Sequence, residues 1–334
     1  MGVVYKGTNL LLIGRWMNQK LLIVALALIA LAGGGYLVLM EALPEGASNG
    51  EETQGISISD AHAHLFDDSQ FIDELIIEMN KKQIRKTVLF GSADQDYTNN
   101  STYVGGIRDE YNQKILEACD KYPDKLFPIL SGFDPQSENS VGYVENQLNT
   151  GKWKGIGEIY MIQESLPDYK TVADHPVMLQ IYQVLAEFNA PIFFHYERWM
   201  QEDVDALYEV IEQNPEVKFV WVHFAHINDL DELENALGRY PNLYISWEGP
   251  VSQTILLEKS RGHIETFEKY VNLFDKYPDR FMIGTDVGCM EEFLTPTLNL
   301  PYENVMAIHR ELLSELSPQT AERIAYKNLE ELIG

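Results

Sequence analysis

Two histidines one residue apart, His62 and His64, are the first side chains whose type and spacing suit chemistry. They close the run Ile56-Ser57-Ile58-Ser59-Asp60-Ala61-His62-Ala63-His64, which reads as a strand. In an extended backbone, residues i and i+2 share a face about 6–7 Å apart at Cα, so both imidazoles can reach one point, as two ligands of one metal ion must. With eight histidines in 334 residues, one such pair is weak evidence by itself. Other titratable groups recur in or at the ends of apolar runs. Glu158 lies within Gly155–Tyr160, and His195 closes Pro191–His195. His223 closes Lys218–His223, with His226 three residues on, and Asp286 closes Phe281–Asp286. Imidazoles and carboxylates in this mixture suit Zn²⁺ or another first-row divalent ion. Taken singly, each has a plainer reading: a hydrogen-bonded strand-end histidine, a Glu158 paired with a buried base, an Asp286 that caps a helix.

The combination works only if the strands that carry these groups end on one rim. From Gly55 onward, β-rich runs at Ile56–His62, Thr87–Gly91, Leu126–Phe133, Gly155–Tyr160, Pro191–His195, Lys218–His223, Asn242–Trp247 and Phe281–Asp286 alternate with helical periodicity. Phe71-Leu75-Ile76-Met79 and Leu179-Tyr182-Leu185-Ala186 are examples of the latter. Lys121-Tyr122-Pro123, Arg239-Tyr240-Pro241 and Lys276-Tyr277-Pro278 read as helix stops, a basic last turn followed by a residue that cannot continue the helix. Eight strand–helix units over about 280 residues predict an α/β fold of the (β/α)₈ TIM-barrel type, whose usual size is about 250 residues and whose active sites lie at the C-terminal strand ends. An open doubly wound sheet lacks its Gly-rich phosphate loop after the first strand. Asp60 is expected to support the site rather than ligate. His175, His263 and His309 fall away from the rim.

Before the barrel, Leu21 to Met40 is an uncharged run of twenty residues, long enough to span a bilayer. Lys6, Arg15 and Lys20 precede it and Glu41, Glu45, Glu51 and Glu52 follow, which puts the N-terminus in the cytoplasm and the main domain outside. A cleaved signal peptide is the rival, with Ala30-Leu31-Ala32 before Gly33 as its cleavage site. The chain thus divides into a tail and transmembrane or signal segment at 1–41, a Gly/Glu/Ser/Asn-rich linker at 42–55 and the barrel at 56–334. Localisation is expected to be the cell membrane, single-pass with the catalytic domain extracytoplasmic, or secretion if the segment is cleaved. A net charge of −26 argues against nucleic acid as a partner and for an accumulation of cations near the surface. The two cysteines, Cys119 and Cys289, form no metal-binding doublet, and their spacing does not suggest a disulfide.

The ordered set DAHAHLF, GIGEIY, PIFFHYE, FVWVHFAHI, NLYISWEG and FMIGTDVG resembles the amidohydrolase superfamily, in its amidohydrolase-related branch of hydrolases and non-oxidative decarboxylases. The closing AERIAYKNLEELIG resembles that family's terminal helix, with Asn328-Leu329 where Asn-Ala is usual. The resemblance implies a divalent metal, Zn²⁺ first with Mn or Fe as alternatives, held by His62, His64, His195 and Asp286. Glu158 matches a position that ligates a second ion in some relatives. His223, preferred to His226, is implied as the acid/base or polarising group, and Asp286 as the group that handles the water's proton. Among neighbours of these ends, Arg198 is a candidate clamp for a substrate carboxylate. Trp247, with Trp199, Tyr160 and Glu248, is a further candidate for substrate contact. The expected partner is a small-molecule substrate. The expected activity is metal-dependent hydrolysis of a small amide, ester, lactone or cyclic substrate, against a decarboxylase on the same site or a catalytically inactive barrel that binds a ligand.

Overall fold

The computed structural model describes residues 55–65, 70–91, 109–162, 173–196, 201–223, 230–288 and 302–334. The expectations placed on residues 1–54, Arg198, Trp199, His226 and Cys289 lie outside the described residues. Among the described residues, no helix is long and apolar enough to cross a membrane.

Eight strands carry the fold: β1 (Ile58–Leu65), β2 (Ile84–Gly91), β3 (Leu126–Ile129), β4 (Ile156–Ile162), β5 (Ile192–Tyr196), β6 (Phe219–Val222), β7 (Leu243–Trp247) and β8 (Phe281–Ile283). All pair in parallel, as β1-β2-β3 and as β4-β5-β6-β7-β8. Single parallel bridges join the two sets, Leu130 to Ile156 and Ala63 to Val287, so the strands close on themselves. The second seam is short because β8 gives up strand geometry at Ile283, where Asp286 was expected to end it; instead the Thr285 and Asp286 N–H groups donate to His62 O and the His64 N–H to Val287 O.

Helices α1 (Phe71–Lys81), α2 (Asp109–Lys121), α3 (Asn139–Leu148), α4 (Pro176–Phe188), α5 (Gln201–Gln213), α6 (Leu230–Arg239), α7 (Gly249–Ser260), α8 (Ile264–Lys276) and α9 (Tyr302–Ser314) alternate with and follow the strands. Three of them, α2, α6 and α8, stop at the Lys/Arg-Tyr-Pro signals, at Lys121, Arg239 and Lys276. The strands alternate between two apolar populations, the period-2 pattern of a pleated sheet. Val88, Phe90, Phe127, Ile129, Phe193, Val220, Val222 and Met282 fill the barrel, while neighbours such as Ile192, Phe194, Phe219 and Trp221 pack outward.

One end of the barrel is plugged by the C-terminal segment. Leu329, Leu332 and Ile333 join the interior cluster, and Asn328 Nδ2 donates to Pro278 O at 2.7 Å and Phe281 O at 2.8 Å. Glu330 accepts from Ser59 Oγ and from Arg85 Nε, both at 2.7 Å, near the starts of β1 and β2. The plug therefore closes the N-terminal face and leaves chemistry to the opposite rim.

Candidate metal centre

Each site residue reaches that rim by a separate local device. On β1, the pairing to β2 shifts register between Asp60 and Ala63. The buried Asp60 anchors the shift: it accepts from His62 N at 3.1 Å, Thr285 N at 2.9 Å and Thr285 Oγ1 at 2.8 Å. It braces β8 against β1, and burial pushes its carboxyl up to about 7 against those hydrogen bonds. On β4, Gly157 has φ 143°, and a Cβ there would meet Phe193 O at 2.5 Å. Only glycine permits that approach, and the irregularity delivers Glu158 inward.

On β6, Val220 and Val222 already face the interior, so strict alternation would turn His223 outward. His223 instead leaves the strand with φ 60°, and Asp286 after β8 does likewise with φ 58°. Left-handed backbone at a non-glycine residue costs about 1–2 kcal/mol and is held only where surrounding contacts require it.

The resulting cluster is buried and short-ranged. His62 Nε2 and His64 Nε2 are 2.9 Å apart. Asp286 Oδ1 lies 3.5 Å from the first and 3.3 Å from the second, and Glu158 Oε2 lies 3.6 Å and 3.4 Å from them. The other Glu158 oxygen, Oε1, faces His195 Nδ1 at 3.1 Å and His223 Nε2 at 3.0 Å. Glu248 touches both halves, Oε1 at 3.3 Å from His62 Nδ1 and Oε2 at 3.1 Å from His223 Nδ1. His62, His64, Glu158, His195 and Glu248 are all buried, and the Asp286 side chain, 39% exposed, faces the solvent.

The sequence expectation grouped His195 with His62, His64 and Asp286. The structure brings the last three together with Glu158 and sets His195 across Glu158, beside His223, with its ring stacked on Tyr160 at 5.0 Å. Trp247 is a correction. It is fully buried in the layer between barrel and helices, stacks on Phe274 at 4.9 Å and donates Nε1–H to Ser252 Oγ at 2.8 Å. Alternation along β7 sends Leu243, Ile245 and Trp247 outward, so substrate contact is not its task. Glu248, one residue on, is the β7 group that enters the site; its signal in the sequence was parity.

Electrostatics show what the cluster demands. Glu248 accepts only, so His62 Nδ1 and His223 Nδ1 carry the protons that face it, and a neutral imidazole then aims a bare Nε2 at further acceptors. For His62 those acceptors are Glu158, Asp286 and His64. Glu158 Oε2 is buried with no donor in hydrogen-bonding geometry. Three carboxylates and bare imidazole nitrogens converging on one space require positive charge. Without a metal, protons supply it. Burial opposes charge on His62, yet Asp286 and Glu158 outweigh it and raise its pKa to about 10. His223 is raised well above its ordinary value, burial again being outweighed by Glu248, Glu158 and Asp286. Burial pushes against ionisation of Glu248, but His223 and His62 hold its carboxyl down at about 2, and Glu158 lies well below its usual range through His62 and His223. The donor set fits divalent metal: among the described residues His62, His64 and Glu158 form one triplet of converging ligand atoms, Glu158, His195 and His223 another, and His62, His223 and Glu248 a third.

The family profile described as amidohydrolase matches residues 59–334. No curated protein matches the chain. Solved structures match in fold. One is assigned as an amidohydrolase from Staphylococcus aureus, at 15% identity and TM-score 0.56, covering 84% of this chain and 100% of that one. A dihydroxybenzoic acid decarboxylase from Polaromonas sp. JS666, with bound manganese and 2-nitroresorcinol, matches at 13% and 0.54, covering 83% and 96%. A 5-carboxyvanillate decarboxylase from Sphingomonas paucimobilis matches at 12% and 0.53, covering 83% and 98%.

Proposed function

Because the chain belongs to the amidohydrolase family, we propose that it is a metal-dependent hydrolase whose residues would hold two divalent ions, with Glu158 common to both ligand sets, acting on a small amide, ester, lactone or cyclic substrate. The supporting observation is the division of Glu158, one oxygen toward His62 and His64 and the other toward His195 and His223. His62, His64, Asp286 and Glu158 would hold one ion, and Glu158, His195 and His223 the other. A divalent ion supplies a Lewis acid and an acidified water, whose pKa falls from about 16 toward 7. Asp286, the carboxylate at the solvent edge, would accept a proton and return it to a leaving group in this reading. His223, expected as an acid/base group, serves as a ligand in this reading, because both of its nitrogens face carboxylates. Zn²⁺ is the first choice of ion for the nitrogen-rich set.

A second reading, non-oxidative decarboxylation on the same residues, draws on likeness in fold to two decarboxylases, one holding manganese. Metal analysis of protein purified without chelator tests the common premise, with about two equivalents of divalent ion expected. Protein that cannot be loaded with Zn²⁺ or Mn²⁺ would end both readings and favour a ligand-binding barrel. A screen of amides, esters, lactones and aryl carboxylates then separates the two: a new carboxylate with an amine or alcohol means hydrolysis, and carbon dioxide means decarboxylation.

We further propose that Leu21–Met40 tethers the barrel outside the cytoplasm. Its uncharged length and the basic residues before it support this. Membrane fractionation and N-terminal sequencing of the mature protein test the tether against a cleaved signal.

A further inference from the structure

We propose that Glu248 is the positioning residue of the metal centre, one carboxylate that fixes the tautomer of a histidine in each half. This rests on the two-ion reading above, and it concerns a residue outside both ligand sets that touches a histidine of each. Its Oε1 faces His62 Nδ1 at 3.3 Å and its Oε2 faces His223 Nδ1 at 3.1 Å, from a buried position at the end of β7. Two Nδ1–H donors need two acceptors, and a carboxylate offers both oxygens with no hydrogen to misplace. With Nδ1 of each ring committed to Glu248, Nε2 of each ring is left to face the centre, His62 toward His64, Glu158 and Asp286, His223 toward Glu158. The carboxylate thereby ties β1 to β6 across the barrel mouth, and orients rings whose centroids are 5.0 Å apart.

A second set of contacts holds Glu248 itself. Its carbonyl accepts from Val251 N at 3.1 Å and so opens α7. Gly249, next in the chain, lies so close to α9 that a Cβ would meet both methyls of Val305 at 2.9 Å. Ser252, one turn into α7, receives Trp247 Nε1–H and lies 2.9 Å from His309 Nδ1, while His309 Nε2 donates to Gly284 O at 2.9 Å. Burial lowers the His309 pKa to about 4, which leaves the ring neutral and fixes Nδ1 as the acceptor of the Ser252 hydroxyl. Trp247, Ser252, His309 and Gly284 thus clamp the β7 end to the β8 end, with Glu248 between them.

Glu248→Gln tests the assignment, because the amide matches the carboxylate in shape but offers one acceptor and one donor. In ¹⁵N–¹H correlation spectra of metal-free and Zn²⁺-loaded wild-type protein, His62 and His223 should both show a protected Nδ1–H. Glu248→Gln should lose at least one of them and weaken Zn²⁺ binding about 10–100-fold, the usual cost of removing a partner behind a metal ligand. Glu248→Ala should lose both. His263→Ala, on the surface beside Glu258, should change neither reading. If folded Glu248→Gln and Glu248→Ala keep both protected Nδ1–H signals and wild-type Zn²⁺ affinity, the proposal is overturned. Wild-type protein that takes up no metal would overturn the two-ion reading, while the Nδ1–H signals of the metal-free protein still decide the role of Glu248.

Discussion

His223 and Asp286 share one unusual backbone conformation, φ 60° and 58°, each just past the end of its strand, β6 and β8. In both cases the left-handed turn coincides with the side chain entering the cluster, His223 against Glu158 and Asp286 against His64. Two non-glycine residues in this region at one rim mark positions where the site, rather than local preference, sets the backbone.

Asp286→Asn separates these demands. Asparagine tolerates left-handed φ at least as well as aspartate, so the backbone cost does not rise. The metal-free variant should unfold below the wild-type temperature at neutral pH, because Asp286 is the foremost carboxylate that keeps the His62 ring charged against its burial. Zn²⁺ affinity should fall by at least about tenfold, since a ligand is lost. A calorimetric scan with a metal titration checks both; a variant that gains stability and keeps its metal would contradict the assignment.

Two ions and one ion make different demands on His195. With two, His195→Ala should leave about one equivalent, held by His62, His64, Asp286 and Glu158, and His64→Ala should leave the other. With a single ion on His62, His64, His195 and Asp286, either change should empty the site. Elemental analysis of the two variants beside His263→Ala decides between them.

The pH dependence of the metal-free protein has a definite sign. His62 is raised from 6.5 to about 10, so its contribution to stability is complete below 6.5 and lost as pH rises through 10. Asp60 is raised from 3.8 to about 7, so its burial costs stability progressively as pH rises from about 4 to 7. Glu248, lowered from 4.5 to about 2, contributes above 4.5 and loses that contribution as pH falls through 2. Unfolding midpoints should therefore decline from near pH 5 to pH 10. Asp60→Asn should flatten the part below 7, since its oxygen can still accept from both backbone N–H groups and its amide can donate to Thr285 Oγ1. A midpoint that rises across this range would refute the account.

Trp247→Phe keeps the stack on Phe274 and deletes the donor to Ser252 Oγ, at a cost of about 1 kcal/mol. Metal content should be unchanged. Thermal unfolding and elemental analysis measure the two quantities, and a loss of metal without a loss of stability would return Trp247 to the site.

Much of this architecture was legible along the chain. Basic-Tyr-Pro stops marked the ends of α2, α6 and α8, because a residue without an N–H ends a helix in any context. Apolar runs marked all eight strands, although β1 extends to Leu65 and β3 stops at Ile129. Side-chain parity was harder to read. On β7 the larger aromatic, Trp247, drew the substrate assignment, whereas alternation from the outward Leu243 and Ile245 gives the inward place to Glu248.

The sequence by itself determined the inventory: eight parallel strands, and histidines and carboxylates in or near the ends of those strands. Periodicity and residue type are local properties, and they survive without knowledge of neighbours. The tertiary structure decided how the inventory is shared. His223 turns inward against its own alternation, and Glu158 is delivered past Gly157 to stand between two imidazole sets. Glu248 gains His62 and His223, residues 186 and 25 positions away, as its partners. Such pairings depend on which strand ends meet across the barrel mouth, and strand closure brings together residues that no periodicity relates.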